Sequence, residues 1–553
     1  MRRTKPKVAD SIDGVKEDLS GHFSNIYKDL YNCVKDGDGV KQISEEIEKK
    51  LNWKHLKDID KVTPQEIMKA AANLKPGKSD PVYTFSSDCF KTNSVRLAEH
   101  TASMIKGFLV HGHIPQFMLV STLVPIIKDK LASINFSKNY RSVCITSLIL
   151  KQLDWVTVNL YGNSMQFHDL QFAYQANVSS TMCSWAVVET VNYFLRNSSD
   201  VLGCSQDKSK AFDLCQFSIL FRKMMKTLSL IFLRIIIFSY LNQFCNVNFN
   251  NQISSSFTVG NGVGQGKILA GYAYCFYCHG LFVTLENSGF GCTIDGVYAG
   301  IYGYSDDDLL LSPTLSGLQT MITITEEYCQ NHGLKFSTDP NPSRSKTKCI
   351  SWMRVPRPLP RMNLCGHQLP WVEKILHLGN TLTNDTHIVY TDMNIKNARY
   401  IVKNIEINQE FYFSAAATRL QVNQIYNSSW FGSTLWDLFC PPAVRLQSSY
   451  NRSIKIMMNL PMATHRELIE PLLDQQHVKK VLIQRFIQMI EKIRYSKKQI
   501  LRTLLAAVEN NTATTTGRNL RCIMLLTQKN SVEEIVVSDI RNLVYQKVDV
   551  ERQ

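Results

Sequence analysis

The chain has 553 residues, enough at roughly 150 residues per domain for three or four modules. Apolar residues make up 44% and charged residues 20%, a globular balance that excludes wholesale disorder and collagen-like repeats. Lys and Arg outnumber Asp and Glu by 62 to 47, a net charge of +15, which favours a polyanionic partner, nucleic acid ahead of an anionic membrane surface.

In chain order, Met1 to Lys7 is basic but leads into polar residues, so no secretory signal is read there. Residues 1–62 are charged and helix-patterned and are expected to form a helical extension. Lys75-Pro76-Gly77-Lys78-Ser79-Asp80-Pro81 is dense in breakers and marks a loop. Apolar spacing from Leu97 to Val110 predicts a helix, and Leu123 to Ile127 predicts a strand running into the basic turn Lys128-Asp129-Lys130. Ser218 to Leu241 reads as helical; its apolar run from Leu228 is about 14 residues, short of the ~20 that span a bilayer, and predicts a buried helix. Val247 to Val259 alternates as a hairpin does, and Val297 to Tyr304 with Leu309 to Leu311 flank an acidic tip as a second hairpin. Beyond about residue 385 strand signals fade and helical patterns dominate. The fifteen cysteines are scattered from Cys33 to Cys522, so reduced thiols in an intracellular, non-secreted protein of the nucleus or cytoplasm are expected, with no membrane partner.

The acidic tip, Tyr304-Ser305-Asp306-Asp307-Asp308, is the strongest chemical signal. Adjacent carboxylates repel one another, and nothing in an apolar hairpin requires them. A divalent cation removes that repulsion, and hard oxygen ligands suit Mg²⁺. A solvated Asp-rich turn is the bland alternative. Upstream, Asp207 in Gln206-Asp207-Lys208 has an aromatic, Phe212, five positions on. If Asp207 meets the hairpin across a sheet, three carboxylates can hold two metals roughly 3.5–4 Å apart. Between them, Gly260-Asn261-Gly262-Val263-Gly264-Gln265-Gly266-Lys267 is a glycine-dense turn that lets backbone approach a ligand, but fits neither dinucleotide nor Walker spacing.

The order Asp-x-x-x-x-Phe, then Gly-x-Gln-Gly, then Tyr-Ser-Asp-Asp resembles the reverse transcriptase of non-LTR (LINE-like) retrotransposons. Lys75 to Ser79 resembles that family's opening motif. Pro125 to Lys128 and Asn139 to Val143 resemble its fingers motifs, and Gln171 to Tyr174 with Ser179 to Thr181 the segment before the palm. Leu334 to Phe336 with Ser345 to Lys348, and Leu376-His377-Leu378-Gly379, resemble the stretches that follow the acidic hairpin, the last being the primer-grip turn.

The resemblance implies an α+β right-hand polymerase with helical N- and C-terminal extensions: fingers over 63–200, palm over 201–384, helical thumb and extension over 385–553. It implies RNA-directed DNA polymerisation on an RNA template and DNA primer with dNTPs and two Mg²⁺ ions, Mn²⁺ being able to substitute, and no redox cofactor. Asp207, Asp306 and Asp307 would be the metal carboxylates, Tyr304 fixing the register so that Asp308 lies outside the set. Phe212 would exclude a 2′-OH, Gln265 and Gly266 would contact nucleotide and template, Lys128 and Arg141 would neutralise the triphosphate, and Lys346, with Lys348 an equal candidate, would protonate pyrophosphate.

Departures from the family pattern include Gly264 where Arg is usual, Lys267 where an acid or Gly is usual, and Ala270-Gly271 in place of Ser-Pro. A Lys beside the template path would weaken or abolish turnover, so a catalytically impaired RNA-binding relic, without the elements' upstream endonuclease, is the rival reading. A viral RNA-dependent RNA polymerase is disfavoured by Phe212.

Two further patterns complete the reading. Lys479, Lys480, Arg485, Lys492, Lys497, Lys498 and Arg502 stand among helically spaced apolar residues, which predicts a basic amphipathic face for phosphate backbones. Cys275-Phe276-Tyr277-Cys278-His279 has haem-attachment spacing but reads as a buried helix with two incidental thiols.

Overall fold

The computed structural model describes residues 11–541 apart from 35, 82–85, 93, 130–131, 166, 385–387, 428, 474–476 and 510. The basic stretch Met1 to Lys7 and Lys130 lie outside the described residues. The chain divides into two compact units. The first comprises Met1–His168, Lys208–Leu281 and Glu327–Lys335; the second comprises Asp169–Asp207, Phe282–Glu326 and Phe336–Gln553.

In the first unit a mixed sheet is centred on Val120–Ile127, the strand expected from its β-rich run. Tyr140–Ile145 pairs with it antiparallel and Phe244–Phe249 pairs with it parallel. The hairpin expected over Val247 to Val259 forms between Phe244–Phe249 and Gln252–Ile253, with Asn250 and Asn251 both in left-handed conformation, which a tight two-residue hairpin turn requires. Helix Val95–His111 covers the segment predicted from apolar spacing and stops at Gly112, whose φ of 63° supplies a left-handed cap. Helix Leu230–Leu241 is apolar all round and buries seven of its side chains, the expected core helix.

In the second unit four strands of a five-stranded sheet run antiparallel in the order Ile301–Tyr304, Asp307–Ser312, Val201–Ser209, Lys348–Trp352, and the short strand Lys335–Phe336 also pairs with Val201–Ser209. Leu309, Leu310 and Leu311 are fully buried, which anchors the acidic tip to the core. The hairpin Lys374–His377 and Asn380–Thr383 follows, turning through Leu378 and Gly379, both with positive φ. After Thr383 every described element is helical. Helix Ile268–Asn287 is long and apolar enough to cross a membrane by composition, yet 67% of its apolar window is buried. Cys275 and Cys278 are buried within it, as expected for a core helix.

Candidate active site

Strand register places the carboxylates. Asp307 stands directly opposite Asp207, and Asp308 opposite Gln206. The main-chain N–H of Asp207 donates to Thr347 Oγ1 (3.2 Å) and its carbonyl accepts from Ser337 N–H (2.8 Å), both on the side away from Asp307. The 207/307 pair is therefore the non-hydrogen-bonded kind, the narrower of the two antiparallel spacings, with its side chains brought close on one face. Alternation turns Asp308 to the other face, where it is 2% exposed beside buried Gln206.

Asp306 lies in the two-residue turn between Tyr304 and Asp307, which pair across it. Ser305 takes φ 65° while Asp306 does not have positive φ, the signature of a turn left-handed at its first position only. The side chain of Gln171, 1% exposed, holds this turn: its Oε1 accepts from Ser305 N–H (3.0 Å) and its Nε2 donates to Ser305 carbonyl (3.4 Å). Lys346 is exposed next to Thr347, the residue whose hydroxyl holds the Asp207 backbone. The holding roles of Gln171 and Thr347 were not read from sequence. Gln171 and Thr347 each lie within a family motif, and neither motif points to the holding role, since both residues act across large sequence separations.

Among the described residues no three His, Cys, Asp or Glu side chains form a ready-made metal cluster. The donor chemistry nonetheless fits a hard divalent cation. Two carboxylates face each other on one sheet face, a third stands in the adjoining turn, and facing like charges favour a cation between them.

The turn Leu376-His377-Leu378-Gly379 is built around a buried imidazole. His377 Nδ1 is 3.0 Å from Ser184 Oγ, and Asn380 Nδ2 donates to the same hydroxyl at 3.2 Å. Burial holds the His377 pKa down at about 4, so the ring is neutral at physiological pH. A folded-state pKa below the ordinary 6.5 contributes stability that is complete above about pH 6.5 and is lost as pH falls from there toward 4. Replacing His377 by Gln should flatten that acid limb by roughly 3 kcal/mol, measured by urea unfolding between pH 4 and 7. An unchanged limb would assign the acid sensitivity to another group.

In the first unit Phe212, Gln265 and Gly266 meet at the glycine-rich turn, while Lys128 and Arg141 belong to the neighbouring strand pair. Val263 N–H donates to Phe212 carbonyl (2.9 Å), and Cys144 N–H, on the 140–145 strand, donates to Gln265 carbonyl (2.7 Å). Gly266 has φ 118°, and a Cβ there would stand 2.5 Å from the Cys144 carbonyl oxygen, so this approach requires glycine. Phe212 is 9% exposed and stacks on Tyr274 with centroids 4.7 Å apart. Lys128 and Arg141 are exposed. Arg141 opposes Ile126, and Lys128 follows two residues later on the same face, a diagonal pair of cations at one sheet edge.

Two departures take a different meaning in the structure. Gly264 sits at φ 68°, a conformation that disfavours the family's Arg. Lys267 does not extend from the turn: its Nζ bonds Gln243 Oε1 and lies 4.1 Å from the Tyr240 ring centroid. Its charge is also felt by buried Asp154, whose pKa burial raises to about 6. A buried acid, an amide and an aromatic face draw the ammonium inward, away from the exposed position expected for it.

The expected basic face is corrected as well. In helix Val478–Arg494, Lys479 and Lys480 are buried at 5% and 7% exposure, and Lys498 beyond it is buried at 3%. Arg485 is half-buried and donates to Ser429 carbonyl. Lys492, Lys497 and Arg502 remain exposed. The helix packs on more than one side, so apolar spacing alone did not mark which cations stay in water.

Residues 127–355 match the profile of the family described as reverse transcriptase (RNA-dependent DNA polymerase). With that match, the α+β architecture is the fold of a right-hand polymerase. A search of curated protein sequences gives no match. Telomerase from Candida albicans, solved in complex with a TWJ fragment of telomeric RNA, is similar at 10% identity and a TM-score of 0.35, over 78% of this chain and 66% of that one. Apo telomerase from Candida tropicalis, truncated from its C-terminal domain, is similar at 11% identity and a TM-score of 0.33, over 55% of this chain and 61% of that one. The chain spans less than two thirds of the length of those proteins.

Proposed function

With residues 127–355 forming a reverse transcriptase (RNA-dependent DNA polymerase) domain, we propose that the chain extends a DNA primer on an RNA template with dNTPs, as the polymerase of a non-LTR retrotransposon. The observation that carries this reading is the register setting Asp207 opposite Asp307, with Asp306 in the adjoining turn. Asp207, Asp306 and Asp307 would hold the Mg²⁺ ions, which supply activation of the primer 3′-OH and stabilisation of the pyrophosphate charge. Lys128 and Arg141 bind the triphosphate by charge-assisted hydrogen bonds. The Gln265-Gly266 backbone offers close approach to nucleotide and template, Phe212 selects the sugar, and Lys346 gives a proton to the leaving pyrophosphate. In this reading the fingers cover residues 63–200, the palm 201–384 and the thumb with its extension 385–553, preceded by a helical extension over 1–62.

Primer extension on poly(rA)/oligo(dT) with Mg²⁺ tests the reading. Use of dNTPs supports it, use of rNTPs points to an RNA polymerase, and binding without extension points to the impaired relic. The inward fold of Lys267 favours the active enzyme, since that cation engages Gln243 and Tyr240.

Non-specific affinity should come from exposed cations, not from the buried ones. Reversing Lys492, Lys497 and Arg502 to Glu should weaken template–primer binding and flatten its log–log salt slope by about 2 to 3, at roughly 0.9 per lost phosphate contact. Titration between 50 and 300 mM salt reads this directly. An unchanged slope would move the nucleic-acid path elsewhere on the surface. Lys498 is left out of this reversal because a buried carboxylate there would break the fold.

A further inference from the structure

Ser305 pays a conformational cost for its left-handed backbone, φ 65°, and such a residue persists where its surroundings over-determine it. Gln171 grips both its N–H and its carbonyl. The main chain reinforces this: Phe172 N–H donates to Gly303 carbonyl (2.8 Å) and Gly303 N–H to Leu170 carbonyl (3.0 Å). Residues 169–172 thus form a short strap along the strand that carries the acidic turn.

The other side of this strap is held by a residue more than three hundred positions away. Lys498 Nζ donates to the carbonyls of Asp169 (2.6 Å) and Gln171 (2.9 Å) and lies 4.9 Å from the Phe172 ring centroid. In return Asp169 Oδ2 accepts from Ile500 N–H (3.0 Å) in the first turn of helix Gln499–Val508. A buried ammonium is costly unless its protons are taken up, and these carbonyls and this aromatic face take them up. An apolar residue of equal length takes the Lys498 donor from the Asp169 carbonyl and leaves the Gln171 carbonyl only its second donor, Gln175 Nε2.

We propose that Lys498 is a positioning residue for the turn bearing Asp306 and Asp307, acting through the 169–172 strap and the Gln171 side chain. The C-terminal helical region thereby fixes where those carboxylates stand, without touching substrate. The consequence for activity rests on the polymerase reading above; the consequence for the turn does not.

The test compares the full-length protein with Lys498→Met and Lys498→Arg by hydrogen exchange over residues 300–310 and by primer extension. In Lys498→Met the turn amides should exchange at least ~10-fold faster, and kcat for extension should fall on the order of 10²-fold. KM for dNTP and Kd for template–primer should stay within about twofold, because the strap touches neither. Lys498→Arg, which restores donors, should recover most of both losses. Gln171→Met leaves the carbonyls that Lys498 bonds in place but removes the grip on Ser305, and should reproduce the exchange change; it decides the matter if Lys498→Met does not fold. Unchanged turn protection in either folded variant overturns the proposal. A wild-type protein that extends no primer overturns the polymerase reading alone, while the exchange result still judges Lys498.

Discussion

Replacing Asp307 by Asn should reduce primer extension by on the order of 10³-fold or more, while template–primer binding without divalent metal stays equal or becomes slightly tighter. The activity loss follows from the proposed metal site and the register: Asp307 faces Asp207 across the narrow antiparallel pair, so an amide there removes one of the two facing carboxylates which that proposal needs. The binding result follows from charge, since a bare carboxylate repels the phosphates of template and primer. Stability moves the other way from activity. Facing like charges destabilise a sheet by roughly 1 kcal/mol or less, so Asp307→Asn should melt at an equal or higher temperature than wild type in EDTA. Mg²⁺ should raise the melting temperature of wild type and leave that of the variant nearly unchanged. Loss of template–primer binding in Asp307→Asn would make the hairpin a structural element and favour the relic. A wild-type melting temperature indifferent to Mg²⁺ would detach the carboxylate pair from metal binding.

The elements whose chemistry is local were legible in the sequence. The leucines after the acidic tip announced a buried arm, and Leu309 to Leu311 are fully buried. The fading of strand signals beyond about 385 agrees with the last strand ending at Thr383. Tyr304 set the expectation that Asp308 stands outside the metal set, and alternation turns Asp308 to the face opposite Asp307, where it is buried. What was not legible depends on partners remote in sequence. Spacing predicted one amphipathic helix over Lys479 to Arg502, which the structure divides into Val478–Arg494 and Gln499–Val508, and nothing in the pattern told Lys479 and Lys480, which are buried, from Lys492, which is not. Lys498 looked like part of a phosphate-binding face because its acceptors are main-chain carbonyls at Asp169 and Gln171, invisible to any composition rule. Lys267 looked like an intrusion on a template path because Gln243 and Tyr240, which draw it inward, lie more than twenty residues upstream. In each case a long cationic side chain found acceptors set by tertiary packing, and the charge pattern alone carried no information about them.

Phe212→Val should admit rNTPs, raising their kcat/KM relative to dNTPs by roughly 10²-fold, if the ring is what excludes a 2′-OH. The structure complicates the experiment, because Phe212 is 9% exposed and stacks on Tyr274 at 4.7 Å. Truncating it removes apolar burial and an aromatic pair, a cost of about 2 to 4 kcal/mol that lowers the melting temperature and can reduce dNTP use without any change in sugar selection. Selection must therefore be read as a ratio of kcat/KM values measured on one preparation, in which a smaller folded fraction cancels. Phe212→Tyr supplies the control that keeps the ring: discrimination should hold, since the face that meets the sugar is unchanged, while any loss from disturbed packing against Tyr274 would appear in both nucleotides alike. Phe212→Leu keeps more of the buried volume than Val, so it should be more stable yet still lose discrimination, which separates the two roles. If the ratio stays constant across Val, Leu and Tyr in active enzyme, the ring packs the core beneath the glycine-rich turn and sugar selection belongs to another residue. If the ratio follows the presence of the ring while melting temperature follows side-chain volume, Phe212 both packs against Tyr274 and closes the site to ribose.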